Sequence, residues 1–246
     1  ADYKNFRDYK FDALGRFDYS VEDCFNFHDA IAKHIRPFLD ELNISRKANL
    51  GLNSLRPWDL QVDEHGRKGL EPFKTGEELF EKSAQCLRKV DPYFEECLRK
   101  MKQMGHLDLE SRKGKSPGGY NYPLYQSGVP FIFMNAAGSQ SDMITMLHES
   151  GHAVHSFLSK DLELTSFKSL PSEVAELASM SMELFTMDHW DVFYNSSEQL
   201  NRAKKEHLER VLYILPWIAI IDKFQHWIYT HPVSYTHLRA HETSLH

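Results

Sequence analysis

The sequence is poor in cysteine and has no long apolar run, and both absences narrow its possible functions. Its 246 residues include three cysteines (Cys24, Cys86 and Cys97), none of them in a C-x-x-C pair. We therefore expect neither a disulfide framework nor a cysteine-based zinc site, and we predict a reducing, cytoplasmic location. The longest uncharged apolar run, 211–221, is interrupted by Pro216 and predicts a buried helix rather than a membrane span.

Positive charge is scarce as well. Lysine and arginine total 29 against 35 acidic residues, which gives a net charge of −6 at pH 7, and no basic block is present. This composition argues against nucleic acid or a membrane surface as a partner, and it leaves the oligomeric state undetermined. Apolar residues make up 41% and charged residues 26%, as in ordinary globular proteins, whereas histidine is abundant with 14 copies.

Helical patterns dominate residues 1–105, so we predict a helical region that leads into a second one. One helix is expected over 21–42. Another is expected to begin at a capping box of Thr75 and Glu78, and a third is expected to end at Gly105. The side chains expected to face inward from the first helix are Phe25, Phe27, Ile31, Ile35 and Phe38.

The pattern changes over 106–232, the second predicted region. A β-hairpin is expected over 119–135, because Tyr120 and Tyr122 alternate with polar residues and an apolar run follows a turn. The edge of such a hairpin is a candidate peptide-binding strand. A purely structural hairpin packed on helices fits the pattern equally well.

Three further helices are predicted after the hairpin, over 141–158, 172–187 and 197–230. The second has an apolar stripe. The second half of the third is apolar nearly all round, so we expect that half to be buried. Pro216 is expected to kink the third helix. The stripe of the second helix consists of Val174, Leu177, Ala178, Ser181, Leu184 and Phe185.

One motif in this region carries chemistry. His148, Glu149 and His152 match the pattern H-E-x-x-H within the predicted helix 141–158. Residues four apart share one helix face, so both imidazoles are able to bind one Zn²⁺ ion, and a catalytic zinc site keeps one position open for water. Glu149 is the expected general base. The motif therefore predicts zinc-dependent hydrolysis with one ion per chain.

Two histidines leave such a site one ligand short. Glu176 and Glu183 share one face of the next helix among small residues, so Glu176 is the predicted third ligand. Glu183 is then expected to accept a hydrogen bond from a ligand imidazole. Glu173 remains an alternative ligand, although the helix dipole also favours an acid in the first turn. A glycine inside the motif, Gly151, is expected to let another backbone pass close by.

The segments around this motif resemble oligoendopeptidase F, a family related to the thimet oligopeptidases. The resemblance runs from about Asp18 to Pro232 and implies a mainly α, zincin-type peptidase domain with a small sheet before the zinc helix. It further implies cleavage of short peptides within a deep channel. The segments that carry it are Gly118–Pro123, Pro130–Asn135, Met146–His155 and Val174–Ser179, followed by Glu183.

The resemblance also implies roles for individual residues. It implies that zinc is bound by His148, His152 and Glu176, with the base and the orienting acid as predicted above. His155 matches an additional histidine of the family, although a core histidine is the simpler alternative. The residues implied to bind the substrate backbone are Gly118, Gly119, Tyr120, Tyr122 and Asn135.

The chain departs from this family in length and at its C-terminal end. Family members are much longer, so we interpret the chain as a fragment truncated at both ends that lacks the residues thought to stabilise the oxyanion. Residues 233–246 do not resemble the family and are interpreted as non-native sequence. His237 and His241 in this tail are interpreted as a false metal pair. We therefore expect weak or no turnover.

The sequence lacks the residue patterns that other classes of enzyme require. The segment Gly114-Lys115-Ser116 is not a phosphate-binding loop, because position 109 holds leucine where that loop needs glycine. No cysteine has the surroundings of a nucleophile. The predicted function is a zinc endopeptidase acting on oligopeptides. The alternative is a non-catalytic, zinc-stabilised helical module that binds peptides.

Overall fold

The computed structural model describes residues 2–231, which are mainly helical with one small sheet. They form two compact units. Among these residues, the first unit comprises 2–67 together with 206–231, and the second comprises Lys68–Lys205. The boundary predicted after residue 105 lies inside the second unit. The tail over 233–246, with His237 and His241, lies outside the described residues.

The elements after the hairpin have nearly the predicted bounds. Three helices expected over 141–158, 172–187 and 197–230 correspond to the observed helices Gln140–Ser159, Ser172–Met187 and Ser197–Thr230. None of the helices within residues 2–231 is long and apolar enough to cross a membrane. The helices are α1 (Phe6–Ala13), α2 (Val21–Ala30), α3 (Arg36–Asn49), α4 (Gly76–Val90), α5 (Pro92–Gln103), α6 (Gln140–Ser159), α7 (Ser172–Met187) and α8 (Ser197–Thr230). The strands are β1 (Leu107–Glu110), β2 (Gly119–Tyr122) and β3 (Phe131–Ala136).

In the first unit, the helix predicted over 21–42 continues to Asn49, but its predicted inward face is partly wrong. A π-turn over Ile31–Ile35 joins α2 to α3. Phe38 is 58% exposed, whereas the next residue, Leu39, is buried. The wider π-turn shifts the helix face by about one residue, which a 3.6-residue period does not anticipate.

Phe27 is the second error on this face. It is exposed, and the neighbouring His28 is buried instead. The Nε2 atom of His28 lies 2.8 Å from Oδ2 of Asp222 on α8. A polar ring is buried at low cost when it is hydrogen-bonded, and a face predicted from hydrophobicity does not include this effect.

The helices of the second unit begin and end at recognisable residues. Thr75 accepts a hydrogen bond from the Glu78 N–H, as predicted, but the Glu78 carboxylate accepts from Lys74 N instead of completing the capping box. Gly105 ends α5 with a φ of 69°, in the left-handed region that favours glycine. The core of this unit includes fully buried side chains of Leu79, Leu87, Leu98, Met101, Ile132, Met143 and Leu147.

The predicted hairpin is confirmed, and a third strand extends it. β2 pairs antiparallel with β3, with Tyr120 opposite Phe133, and β1 pairs parallel with β3. The strand order is β1-β3-β2, so β2 lies at an edge of the sheet. β1 was not predicted, because it has only four residues and two of them, Asp108 and Glu110, are acidic.

A buried lysine fixes the loop between β1 and β2. The Lys115 side chain is only 1% exposed, and its Nζ lies 2.9 Å from Asp108 Oδ1. The same ammonium donates to the backbone oxygens of Asp108 and Glu110 at 3.0 and 2.8 Å. It also lies 4.7 Å from the centre of the Phe133 ring. Lys115 therefore holds the loop in place.

Replacing Asp108 by asparagine is expected to destabilise the chain by about 2–3 kcal/mol, because the buried ammonium of Lys115 loses its counter-ion. Hydrogen bonds from Arg112 and Lys115 hold the pKa of Asp108 far below its usual range. The stability that the Asp108 carboxylate contributes is therefore complete above the pKa of an unfolded aspartate, about 3.9. This stability is lost as the pH falls below that value. Urea unfolding should thus separate Asp108→Asn from the wild type more strongly at pH 7 than at pH 3.

The matched control for this prediction is Arg112→Gln. Arg112 pairs with the same carboxylate, but its side chain is 60% exposed, so its loss is expected to destabilise the chain much less than the loss of Asp108. Equal losses for Arg112→Gln and Asp108→Asn would contradict the argument from burial.

Apolar side chains are exposed on two helices, although the second half of α8 was predicted to be buried. On α7, Leu177 and Phe185 are 67% and 62% exposed, and the buried residues are Ser179, Met182 and Thr186. On α8, which runs through Pro216 as one helix, Trp217 and Ile220 are 60% and 61% exposed. The face of α7 that carries small side chains packs against α6, and the apolar stripe does not. Small side chains permit the closest approach of two helices.

Candidate metal centre

Helix α6 places the two histidines of the motif on one face. Ser139 and Asp142 form a capping box that starts the helix before the motif. One helical turn separates His148 from His152, and their rings lie 4.9 Å apart at an angle of 85°. Both side chains are about one-fifth exposed, so they are accessible to an ion or a small ligand.

Gly151 allows helix α7 to approach these histidines. A Cβ at this position would lie 2.7 Å from Ser179 Cα, 2.8 Å from the carbonyl oxygen of Ala178 and 3.0 Å from Met182 Cβ. Two of these atoms belong to backbone, which moves only with the helix. The prediction that another backbone passes close to Gly151 is therefore confirmed.

This close approach places Glu176 beside both histidines. Its Oε2 lies 3.3 Å from His148 Nε2, and its Oε1 lies 3.6 Å from His152 Nε2. Ligands held about 2.0–2.1 Å from one tetrahedral ion lie roughly 3.3 Å apart. One ligand atom from each of the three residues lies within 4.8 Å of the others. The donor set of two imidazoles and one carboxylate therefore fits Zn²⁺. Glu173, the alternative ligand, stands in the first turn of α7.

Glu183 holds the ring of His148 from the other side. Its Oε1 lies 2.6 Å from His148 Nδ1, which leaves Nε2 directed toward Glu176. Burial lowers the pKa of His148, but the hydrogen bond and charge of Glu183 outweigh burial and raise it overall. By contrast, burial and the charge of His148 lower the pKa of His152. A carboxylate behind a ligand imidazole fixes its orientation and raises its basicity.

Glu149 lies buried behind the histidine pair. Glu149 is 5% exposed, and its Oε2 atom has no hydrogen-bond partner among residues 2–231. Burial raises the pKa of Glu149, and the charge of Glu176 raises it further. The backbone N–H of Asn121 on β2 hydrogen-bonds to this carboxylate and opposes the shift, as does His148. A carboxylate with a raised pKa and a free oxygen is suited to accept and return a proton.

The predicted substrate-binding residues lie on β2, β3 and the loop before them. Tyr120 and Tyr122 are 51% and 60% exposed, and the Tyr120 ring stacks on Phe133 at 5.1 Å. Gly119 packs against α6, since a Cβ there would lie 2.8 Å from Thr145 Cγ2. These contacts hold the edge strand against the helix that carries the motif.

Gly118 and Asn135 continue the ladder of the hairpin. The carbonyl oxygen of Gly118 accepts a hydrogen bond from Asn135 N at 3.1 Å. The Asn135 side-chain amide donates to the Lys115 carbonyl oxygen, and its Oδ1 is buried without a partner among the described residues. Both residues therefore support β2 from inside the sheet.

A cavity of about 310 Å³ opens beside His152. His155 lines it one turn further along α6, together with Tyr125 and Lys168, and is half-buried rather than part of the core. Asn121 lines the cavity as well and is the residue that the sequence analysis missed. Its contact with Glu149 uses a backbone N–H, which no side-chain pattern reveals.

The thiols offer no alternative centre in the second unit. Burial raises the pKa of Cys86 to about 12 and that of Cys97 to about 11, so both thiols stay protonated near neutral pH. A nucleophilic cysteine requires the opposite shift.

Comparisons with known proteins point to a peptidase family. The sequence pattern of peptidase family M3 matches residues 1–241, which is further than Pro232, where the resemblance was expected to stop. The chain is 27% identical over 158 residues to oligopeptidase PepF of Bacillus subtilis, which covers 64% of this chain and 23% of PepF. It is 23% identical over 190 residues to an oligoendopeptidase F homolog of Lactococcus lactis, which covers 77% of this chain and 29% of the homolog.

The fold is similar to that of a longer peptidase. It matches the solved structure of PZ peptidase A with an inhibitor at a TM-score of 0.85 and 30% identity, which covers 94% of this chain and 41% of that one. The chain thus spans less than half the length of these relatives. Because the family pattern matches nearly every residue and the helical fold agrees, the chain belongs to peptidase family M3.

Proposed function

We propose that the chain carries the catalytic centre of a zinc-dependent endopeptidase that hydrolyses short peptides. The observation that carries this proposal is the buried Glu149 carboxylate, placed beside the convergent His148, His152 and Glu176. The names of the relatives, an oligopeptidase and an oligoendopeptidase, agree with a peptide substrate. Three free thiols fit a cytoplasmic location.

In this proposal His148, His152 and Glu176 hold one zinc ion per chain. When bound, zinc polarises the scissile carbonyl and lowers the pKa of its water to about 7. Glu183 keeps the His148 ring in the tautomer whose Nε2 faces the ion. His155 lies outside the ligand set and contributes to the wall of the adjacent cavity.

Glu149 acts as the general base. Its unpaired Oε2 takes a proton from the attacking water and then gives it to the leaving amine. Because burial raises the pKa of this carboxylate, its proton affinity is closer to that required near neutral pH than that of an exposed glutamate. The Asn121 N–H fixes the carboxylate during both transfers.

The edge of β2 binds the substrate as an additional strand. Main-chain groups of an extended peptide pair with such an edge, and this places the scissile bond alongside the motif. Gly118 and Gly119 have no side chains that would hinder the approach of the peptide. Asn135 on β3 supports the β2 strand. Exposed rings of Tyr120 and Tyr122 flank the bound peptide.

The proposal is tested with a quenched fluorescent peptide and the variant Glu149→Gln. The wild-type chain is expected to cleave slowly, since removal of one oxyanion donor costs about 10²–10³ in rate and none is identified among residues 2–231. Glu149→Gln should lower this rate by a further factor of about 10²–10⁴ while zinc binding persists. Glu163→Gln, at an exposed glutamate outside the centre, is the matched control.

Each outcome of this assay decides between functions. Cleavage that is lost in Glu149→Gln and kept in Glu163→Gln supports the peptidase. Equal cleavage by all three proteins would contradict the assignment of Glu149 as the general base. Zinc-dependent peptide binding with no cleavage by any of them would favour the alternative, a non-catalytic module that binds peptides.

The role of Glu183 leads to a separate expectation. Glu183→Gln should weaken zinc binding at this centre about 10- to 100-fold, because a neutral amide orients and polarises the His148 ring less well. Isothermal titration with a competing chelator measures this change. Glu173→Gln serves as the control and should leave the affinity almost unchanged. A larger loss in Glu173→Gln than in Glu176→Gln would mean that the third ligand was assigned wrongly.

A further inference from the structure

A second cluster of metal-ligating side chains lies in the first unit. Cys24 and His28 are one turn apart on α2, and Asp222 and His226 are one turn apart on α8. Each pair therefore presents both side chains on one helix face. Ligand atoms of Cys24, Asp222 and His226 all lie within 4.8 Å of one another. Two side chains from α2 and two from α8 thus lie close together.

The distances around Asp222 resemble those of a metal site. His226 Nε2 lies 3.4 Å from Asp222 Oδ2, which is close to the separation of roughly 3.3 Å expected for two ligands of one tetrahedral ion. His28 Nε2 lies 2.8 Å from the same oxygen, which is a hydrogen-bond distance. His28 therefore supports the carboxylate from behind, in the manner of a group that orients a metal ligand.

The two histidines are also incompletely satisfied. Each is 5% exposed, and the Nδ1 atom of each has no hydrogen-bond partner among residues 2–231. A buried polar atom without a hydrogen-bond partner is destabilising. The hydrogen bonds within the cluster therefore leave the Nδ1 atoms unpaired, whereas the Nε2 atoms are the ones that face Asp222.

An ion is able to reach this cluster. The side chain of Asp222 is 31% exposed, and Cys24 is half-buried. A metal site needs such an entry path as well as a satisfied set of supporting groups. The accessible part of the cluster consists of the carboxylate and the thiol, whereas both histidines are buried.

We propose that Cys24, Asp222 and His226 form a second metal site, which binds a divalent cation of the Zn²⁺ type. A thiolate, an imidazole and a carboxylate suit zinc or cobalt and not the hard ions Mg²⁺ and Ca²⁺. His28 is the positioning residue for Asp222. The bound ion cross-links α2 to α8 and so stabilises the first unit against unfolding.

Cobalt substitution separates this site from the centre on α6. Thiolate ligands give Co²⁺ a strong charge-transfer absorption in the near ultraviolet, and the cluster of His148, His152 and Glu176 contains no thiol. The full chain loaded with Co²⁺ should therefore bind two ions and show this absorption. His148→Ala should bind one ion and keep the absorption, whereas Cys24→Ser should bind one ion and lose it.

Two further variants keep the test decisive. Cys97→Ser removes a buried thiol of the second unit and should leave the absorption unchanged. Asp222→Asn keeps Cys24 in place and should weaken Co²⁺ binding at this site at least 10-fold, with the fold monitored by circular dichroism. One ion per wild-type chain without the absorption, or an absorption that survives Cys24→Ser, would overturn the proposal.

Discussion

Replacing His148 by alanine is expected to weaken zinc binding at the α6 centre by roughly 10²–10³-fold. Apparent binding free energies of structural zinc sites with four ligands are about 10–16 kcal/mol, so one ligand accounts for roughly 2.5–4 kcal/mol. The loss at His148 is expected at the upper end, because the same substitution also leaves the Glu183 carboxylate without the imidazole it lies against at 2.6 Å.

The measurement is a titration against a metallochromic indicator. It is made in the Cys24→Ser background, so that zinc at the cluster on α2 and α8 does not contribute to the signal. His34→Ala, at an exposed histidine of the first unit, is the matched control and should bind zinc like its parent. Unchanged zinc affinity in His148→Ala would refute the centre and, with it, the proposed hydrolytic function.

Replacing Gly151 by alanine should destabilise the chain by about 2–3 kcal/mol, although alanine is the better helix former by about 1 kcal/mol. The added methyl group would lie 2.7–2.8 Å from backbone atoms of Ser179 and Ala178. Relief of this overlap requires a shift of α7 away from α6. Such a shift also carries Glu176 away from His148 and His152, so zinc affinity should fall together with stability.

Thermal unfolding is the measurement for this prediction, with an expected decrease in the melting temperature of roughly 5–10 °C. Gly69→Ala is the matched control, because a Cβ at Gly69 meets no atom within 4 Å and should change stability little. A Gly151→Ala chain as stable as the wild type, with unaltered zinc affinity, would mean that the close approach of α6 and α7 is not needed for the site.

Local patterns predicted the parts of the site that lie on single helices. The spacing of His148 and His152 fixes a shared face whatever surrounds the helix, and Glu149 follows from the same motif. Small residues on α7 indicated a close helix pair, and Gly151 indicated where the pair meets. These inferences depended on backbone geometry that is repeated along every α-helix.

Contacts made by backbone groups could not be predicted in this way. The Asn121 N–H that reaches Glu149 carries no side-chain signal, and β1 is too short and too acidic to resemble a strand. Lys115 sits in a segment of loop composition, yet its ammonium is almost fully buried against Asp108. Each of these features depends on which segments the fold brings together.

The sequence by itself determined the helical class, the hairpin and the pairing of two histidines with an acid, because periodicity sets which side chains share a face. It did not determine which face becomes buried. Leu177 and Phe185 are exposed, while the smaller Ser179 is buried, because α7 is held against α6 at Gly151. Burial depends on the neighbouring element, and only the tertiary structure placed α7 beside α6 and β2 beside Glu149.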